Sequence, residues 1–194
     1  TYYVPNDFKY MVPEIVQNIE SFSGLNQTVT SRFNYTIPVK ATRTRINFKI
    51  QDGCDNFCSY CIVPIKRGLP QSKPYKDVIN EFKEIIFNGF KEIVLTGVMV
   101  ARYESEDKSL IDLIEDLLQI DGLFRIHLSS LSPSFINSEL IHLLKHPKIV
   151  KHLHLSLQSG SNTILNKMNR TYTREQYLKT ISDIKEQIPL INLT

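Results

Sequence analysis

The stretch RINFKIQDGCDNFCSYC, residues 45–61, joins two patterns that do not belong to one element. From Arg45 to Gln51, apolar Ile46, Phe48 and Ile50 alternate with polar Arg45, Asn47, Lys49 and Gln51. That is the period of a β-strand with one polar face. Asp52-Gly53 breaks the alternation, and Cys54, Cys58 and Cys61 come next with the spacing C-x3-C-x2-C. A strand that runs straight into a cysteine loop suits an α/β fold, where functional loops sit at the carboxyl ends of strands.

Outward from this stretch, helical and strand periods alternate. Residues 75–88 place Val78, Ile79, Phe82, Ile85 and Ile86 on one helical face and stop at Asn88-Gly89. Residues 92–96 (EIVLT) read as the second strand. Residues 109–120 read as the second helix, with Leu110, Leu113, Ile114 and Leu117 inward and Asp121-Gly122 as its stop. A third strand (125–129), a third helix (135–146, ended before Pro147) and a fourth strand (152–157) succeed it. The fourth helix, 173–188, opens on the capping box Thr173-x-x-Gln176 and turns Tyr177, Ile181, Ile184 and Ile188 inward. Residues 191–194 begin a fifth strand. Strand–helix repetition at this spacing predicts parallel strands with right-handed crossovers. The expected fold class is α/β, a partial (βα) barrel truncated before its last strands.

Upstream the texture differs. Residues 13–23 predict a helix carrying Ile15, Val16, Ile19 and Phe22 on one face, with Pro13 in the first turn and Gly24 as the stop. Residues 25–41 are Thr- and Asn-rich and read as a linker. The division expected is 1–40 and 41–194.

The strands carry a further signal. Parallel strands covered on both faces usually read as continuous apolar runs, but these alternate. His127 and Ser129 in the third strand, and His152, His154, Ser156 and Gln158 in the fourth, repeat the polar face of the first. With the apolar faces against helices, the polar faces line a lumen able to hold a ligand.

Composition bounds the rest. Of 194 residues, 42% are hydrophobic, which excludes a disordered tail, and no apolar run is long enough to cross a membrane. The net charge of +3 permits a nucleic-acid partner without requiring one. The three cysteines are odd in number and clustered, unlike a secreted disulfide framework. With no signal-peptide pattern at the start, a reduced, cytoplasmic setting is expected.

Three soft thiolates this close can wrap one side of a metal or cluster. A structural zinc wants four protein ligands, and a ferredoxin-type cluster four cysteines. Three thiolates would leave one iron of a [4Fe–4S] cluster open. A zinc site completed by a histidine, the nearest downstream being His127, and a set of unligated buried thiols are the other readings.

The cysteine spacing with Tyr60 before the last ligand resembles the signature of radical S-adenosylmethionine (SAM) enzymes. The wider set, KIQDGCDNFCSYCIVP, Arg67-Gly68, EIVLTGV, LSSLSP, HLHLSLQSGS and MNRTYT, is similar to the methylthiotransferases that modify adenosine in tRNA. Leu95-Thr96-Gly97-Val98 and the fourth-strand run resemble the branch acting on N6-threonylcarbamoyladenosine. The resemblance covers roughly residues 43–194.

This resemblance implies a barrel of radical SAM type, here incomplete. It implies that Cys54, Cys58 and Cys61 hold a [4Fe–4S] cluster whose open iron chelates SAM, that a 5′-deoxyadenosyl radical forms, and that a methylthio group enters C2 of an anticodon-loop adenosine. It implies that Tyr60, Gly97, Gln158, Ser159 and Arg170 form the cofactor side of the site: Tyr60 at the adenine, Gly97 near the methionine end, Gln158 and Ser159 at the ribose, and Arg170 near the SAM carboxylate or the substrate. Lys66, Arg67 and Lys73 are candidates for tRNA phosphates. The implied partners are tRNA and an electron donor such as flavodoxin or ferredoxin, with no membrane. Residues 1–40 would be the remnant of a preceding methylthiotransferase domain, and a piece of this extent is not expected to complete turnover alone. Met99 stands where the family usually has Asn. Another radical SAM activity, or a non-catalytic metal-binding or RNA-binding module, are the alternative readings.

Overall fold

The chain divides into a unit at Thr1–Thr36 and a unit at Ile37–Thr194. The computed structural model describes residue 4 and residues 11–18, 32–34, 36–40 and 43–194. In the first unit, helix α1 spans Val12–Gln17, with Pro13 in its opening turn and Ile15 buried. Val16, expected on the same apolar face, is exposed. Ile19, Phe22 and Gly24, and most of the expected linker 25–41, lie outside the described residues.

The second unit begins with strand β1 (Arg45–Lys49). Next come β2 (Gln51–Asp52), α2 (Val63–Arg67), β3 (Gln71–Ser72) and α3 (Tyr75–Phe87). After these stand β4 (Glu92–Thr96), β5 (Glu104–Ser105), β6 (Lys108–Ser109), α4 (Leu110–Leu118) and β7 (Arg125–Leu128). The chain continues with α5 (Ser138–Leu143), β8 (His152–Leu153), α6 (Asn162–Lys167), α7 (Arg174–Gln187) and β9 (Asn192–Leu193). Strands β1, β4 and β7 pair in parallel, with Arg45 opposite Glu92 and Glu92 opposite Arg125. Isolated parallel bridges, Ile126–Ile149 and Leu131–Leu155, carry the order on to the segment of β8, which pairs in parallel with β9. The result is an open α/β arrangement of parallel strands, as expected, and it does not close.

Two helices begin where the sequence says they should. Ser109 accepts from the Asp112 amide while the Asp112 carboxylate accepts from Ser109, and Thr173 and Gln176 do the same for α7. Leu110, Leu113, Ile114 and Leu117 of α4 are buried in one core with Val78, Phe82 and Ile85 of α3 and the apolar face of β1 and β4. Each fully buried side chain of this kind contributes about 1.5–3 kcal/mol. Phe82 and Phe124 meet edge to face at 5.3 Å.

Other elements differ from the sequence expectation. The third helix shrinks to α5, because Pro133–Phe135 first takes a 3-10 turn and the Asn137 side chain then caps the helix by accepting from the Leu140 amide. The fourth strand keeps regular pairing only at His152–Leu153, since its neighbour β9 is two residues long. Its far end turns away at Gln158, which has a left-handed backbone (φ 64°), and Leu157, which the strand alternation sets on the apolar face with Leu153 and Leu155, is exposed. The short α2 and α6 and the β5–β6 hairpin, turned by Glu106 and Asp107 at positive φ, carry too few residues to show a period.

The polar strand face is present and internally wired. Glu92, buried, takes Arg125 at 2.7 Å, Arg45 at 3.3 Å and His127 Nδ1 at 3.2 Å. His127 Nε2 lies 2.9 Å from His152 Nδ1, and His152 Nε2 lies 3.1 Å from Thr194 Oγ1. Burial pushes the His127 pKa down, with Glu92 pulling it partly back. Burial also pushes Glu92 up, but the hydrogen bonds from Arg125 and His127 outweigh it and hold the carboxyl below its ordinary value. Both folded-state values are depressed, so the unfolded chain binds more protons in acid. This stability is fully present above the ordinary histidine value and is lost as pH falls below it, first through His127 and then through Glu92. The thermal midpoint should therefore drop as pH falls below the ordinary histidine value of 6.5. His127→Asn should flatten that slope in a scanning-calorimetry series, and an unchanged slope would count against the assignment.

Candidate functional site

Asp52 ends the strand region and anchors the start of the cysteine loop. Its side chain is buried and takes Lys49 Nζ at 2.5 Å, Arg67 Nη1 at 3.1 Å and the Gly53 amide at 2.9 Å. Burial would raise its pKa, but these three donors overcome that and keep the carboxyl low. Gln51, fully buried, donates through Nε2 to the carbonyls of Asp52 (2.8 Å) and Gly53 (2.9 Å), and its Oε1 accepts from the Met99 amide at 2.7 Å. The alternation places Gln51 on the polar lumen face. The structure corrects this, because the strand ends at Lys49 and Gln51 belongs to β2, paired antiparallel with β3.

The cysteine loop is held from two sides. The Cys54 amide donates to the Gly68 carbonyl at 3.0 Å, and Gly53, at φ 77°, packs so tightly that a Cβ would fall 2.1 Å from the Leu69 carbonyl oxygen. On the other side, the Ser59 amide donates to the Met168 carbonyl at 3.2 Å, and Asn169 Nδ2 donates to the carbonyls of Asn56 (3.1 Å) and Phe57 (3.2 Å). Phe57 has a left-handed backbone at φ 45°, an unusual conformation for an aromatic residue and one that these bonds hold in place.

All three cysteines are unbridged; Cys54 and Cys58 are buried and Cys61 is half-buried. The Asn56 amide lies 3.5 Å from Cys54 Sγ, and Arg170 Nη1 lies 3.3 Å from Cys58 Sγ. Burial pushes the Cys54 thiol up, with Asp55, Cys58 and Cys61 adding to the rise and the Asn56 amide opposing it. Among the described residues, no group of three or more His, Cys, Asp or Glu is gathered as a single metal ion would need.

Of the residues that the resemblance sets at the cofactor, Tyr60 is exposed on the loop, and Arg170 acts on its hydroxyl. Arg170 stacks over the Tyr172 ring at 5.0 Å, and the Tyr172 hydroxyl donates to the carbonyls of Ser156 and Leu157, the latter at 2.8 Å. Arg170 and Tyr172 thus tie the cysteine loop to the segment that leads into Gln158. Gln158 itself is exposed, and Ser159 Oγ accepts from the Ser161 amide at 3.2 Å. Gly97 lies against Gln51, where a Cβ would come within 2.7 Å of Oε1, so the loop after β4 can approach the cysteine loop only without a side chain there.

The three basic candidates separate. Lys66 is exposed, whereas Arg67 is committed to Asp52. Lys73 is buried, paired with Glu81 and set 5.4 Å from the Phe48 ring centre, so it is a structural cation and cannot meet a phosphate. Sequence reasoning does not single out Asp52, Asn169 or Tyr172 as contributors to the site, nor Gln51 as a clasp. Only Asp52-Gly53, a turn signal before the first cysteine, hints at any of them.

A sequence model described as the radical SAM superfamily matches residues 48–194. The chain belongs to that superfamily. Its relatives include the threonylcarbamoyladenosine tRNA methylthiotransferase MtaB of Bacillus subtilis, 40% identical over 81% of this chain and 36% of its own length. The MtaB of Thermotoga maritima is 34% identical over 93% of this chain and 43% of its own length. The tRNA-2-methylthio-N(6)-dimethylallyladenosine synthase of Clostridium tetani is 40% identical over 81% of this chain and 36% of its own length. The chain therefore spans less than half the length of these curated relatives. Among solved structures, the cobalamin-dependent SAM radical enzyme OxsB superposes with a TM-score of 0.61 at 16% identity, over 76% of this chain and 22% of its own. The radical SAM methyltransferase TsrM from Kitasatospora setae, with cobalamin and a [4Fe–4S] cluster bound, gives 0.59 at 17%, over 73% and 28%. At that identity the likeness is one of fold.

The donor set of this loop fits the cofactor of the superfamily. Three thiols with a cation and a backbone amide against two of the sulfurs are what a cysteine-ligated iron–sulfur cluster needs, because hydrogen bonds to the sulfurs offset the thiolate charge.

Proposed function

We propose that this chain is the cluster- and SAM-binding part of a tRNA methylthiotransferase that places a methylthio group on C2 of N6-threonylcarbamoyladenosine. The observation that carries the reading is the loop Cys54–Cys61: all three cysteines of the chain stand on one loop beyond the carboxyl end of β1, pinned on both sides. Relatives named for tRNA methylthiotransfer support the chemistry. Since relatives of both the threonylcarbamoyl and the dimethylallyl branch match at 40% identity, the choice of base modification rests on Leu95–Val98 and the fourth-strand run.

Cys54, Cys58 and Cys61 would hold a [4Fe–4S] cluster, with Tyr60, Gly97, Gln158 and Ser159 on the side where SAM lies. When bound, this pair supplies one-electron, radical-generating chemistry. The residues of this chain supply position and enclosure. Gln51 locks the loop after β4 to the start of the cysteine loop, so two sides of the cofactor space are fixed before anything enters. Asn169 and Met168 close a third side. The polar strand face carries Asn47, His127 and His152 to line the space below. The proposed partners are tRNA and a flavodoxin- or ferredoxin-type electron donor. Residues 1–40 are proposed to belong to a preceding methylthiotransferase domain, which the division at Thr36 supports. No helix among the described residues is long and apolar enough to cross a membrane, and a cytoplasmic site of action is proposed.

The test is the full-length protein, reconstituted anaerobically with iron and sulfide and given tRNA carrying either modification. A paramagnetic resonance signal that changes on adding SAM, with a methylthio mass increment on N6-threonylcarbamoyladenosine, is expected. Product only on the dimethylallyl base would overturn the branch. Tight zinc with no iron signal would overturn the enzyme.

A further inference from the structure

The resemblance sets Arg170 near the SAM carboxylate or the substrate, but its guanidinium is directed at a sulfur. Arg170 Nη1 lies 3.3 Å from Cys58 Sγ, although the two residues are 112 positions apart in the chain. It is half-buried, with the Tyr172 ring 5.0 Å away. The backbone around it is anchored independently: the Arg170 amide donates to the Leu165 carbonyl at 3.0 Å, and the neighbouring Asn169 clamps Asn56 and Phe57. The placement therefore does not depend on the sulfur contact. Burial works against the charged form of Arg170, while Cys58 and Tyr172 favour it more strongly, so the group stays a cation.

We propose that Arg170 is a positioning residue that tunes the cluster: its guanidinium donates to the Cys58 thiolate, draws electron density from the iron it ligates and raises the cluster's reduction potential. This rests on the assignment of a cluster to Cys54, Cys58 and Cys61. Reduction adds one negative charge to the cluster, and a fixed cation and hydrogen bond at a ligating sulfur favour the more negative state. Asn56 offers Cys54 only a neutral amide at 3.5 Å, so Arg170 is the charged contact to a sulfur on this loop among the described residues. The Arg170–Tyr172 stack adds a mechanical role. Tyr172 holds the Ser156 and Leu157 carbonyls, so the residue that touches the sulfur is rigidly joined to the segment leading to Gln158.

The test uses the full-length protein with its cluster reconstituted, titrated with dithionite and redox mediators in the absence of SAM, with paramagnetic resonance as the readout. Arg170→Gln keeps an amide donor and removes the charge, and Arg170→Lys keeps the charge and removes the planar fork. Both should load iron and sulfide to the wild-type level. Arg170→Gln should show about a tenfold lower ratio of reduced to oxidised cluster at a fixed potential, ~59 mV for a one-electron couple. Arg170→Lys should fall between it and wild type. An unchanged midpoint in a fully loaded Arg170→Gln overturns the proposal and returns Arg170 to the SAM or substrate side. Loss of the cluster from both variants also overturns it, making Arg170 part of the loop scaffold. A wild-type protein that binds no cluster sinks the functional reading instead.

Discussion

Alanine at Cys54, Cys58 or Cys61, one at a time, should remove the cluster of this loop from the reconstituted full-length protein, and with it all SAM-dependent cleavage. The effect should be complete because the structure holds no substitute among the described residues. The chain has no cysteine beyond these three, and the nearest histidine downstream in sequence, His127, is committed to Glu92 and His152 on the strand face. Two thiolates leave two irons short of a protein ligand, and a [4Fe–4S] cluster with two open corners does not persist. The fold should survive. The loop backbone is held by Gly68, Met168 and Asn169 without the sulfurs, and each substitution removes one small side chain. The measurement is the loss of iron and sulfide relative to wild type together with the SAM-responsive paramagnetic resonance signal, checked against an unchanged far-ultraviolet circular dichroism spectrum. A retained SAM-responsive cluster in any one of the three variants refutes the ligand assignment.

Gly53→Ala should cost about 3 kcal/mol or more of stability and prevent cluster loading. The residue sits at φ 77°, in the left-handed region, and a Cβ there would lie 2.1 Å from the Leu69 carbonyl oxygen and 2.8 Å from that of Gly68. Those are backbone atoms with no rotamer to yield. The left-handed backbone alone costs about 1 kcal/mol for alanine, and the collision forces either the Gly68–Leu69 turn or the cysteine loop to move. Moving it also separates the Cys54 amide from the Gly68 carbonyl and strains the bond from Gln51 Nε2 to the Gly53 carbonyl. A buried hydrogen bond lost from one side costs about 1–3 kcal/mol. Urea unfolding of wild type and variant reads the stability, and iron content reads the loop. Gly160→Ala is the matched control, because nothing lies within 4 Å of a Cβ at Gly160. If Gly53→Ala behaved like Gly160→Ala, the packing described at Leu69 would be wrong.

Both predictions turn on a loop whose chemistry is local and whose shape is not. Local signals are legible throughout. The capping boxes at Ser109 and Thr173, the strand at Glu92–Thr96 and the inward rows of α3 and α4 are set by residues within one or two turns of each other, so reading along the chain recovers them. The short elements α2, α6 and β5–β6 escape such a reading for the converse reason: two to six residues hold no full period. Leu157 and Val16 are placed inward by period alone and are exposed, since a period says which residues share a face and not where the covering layer ends.

By itself the sequence determined the three clustered thiols, the strand that delivers them, the alternation of parallel strands with helices and the family, because each is written in spacing and side-chain type over a short span. Only the tertiary structure decided that Gln51 is a buried clasp, that Lys73 faces Glu81 and not solvent, and that Arg170 meets Cys58 across 112 residues. Those partners are chosen by how the strands and their connecting loops pack at one end of the sheet. Charge and hydrogen-bonding capacity can be read from a residue's identity, whereas the group that answers them is fixed by packing.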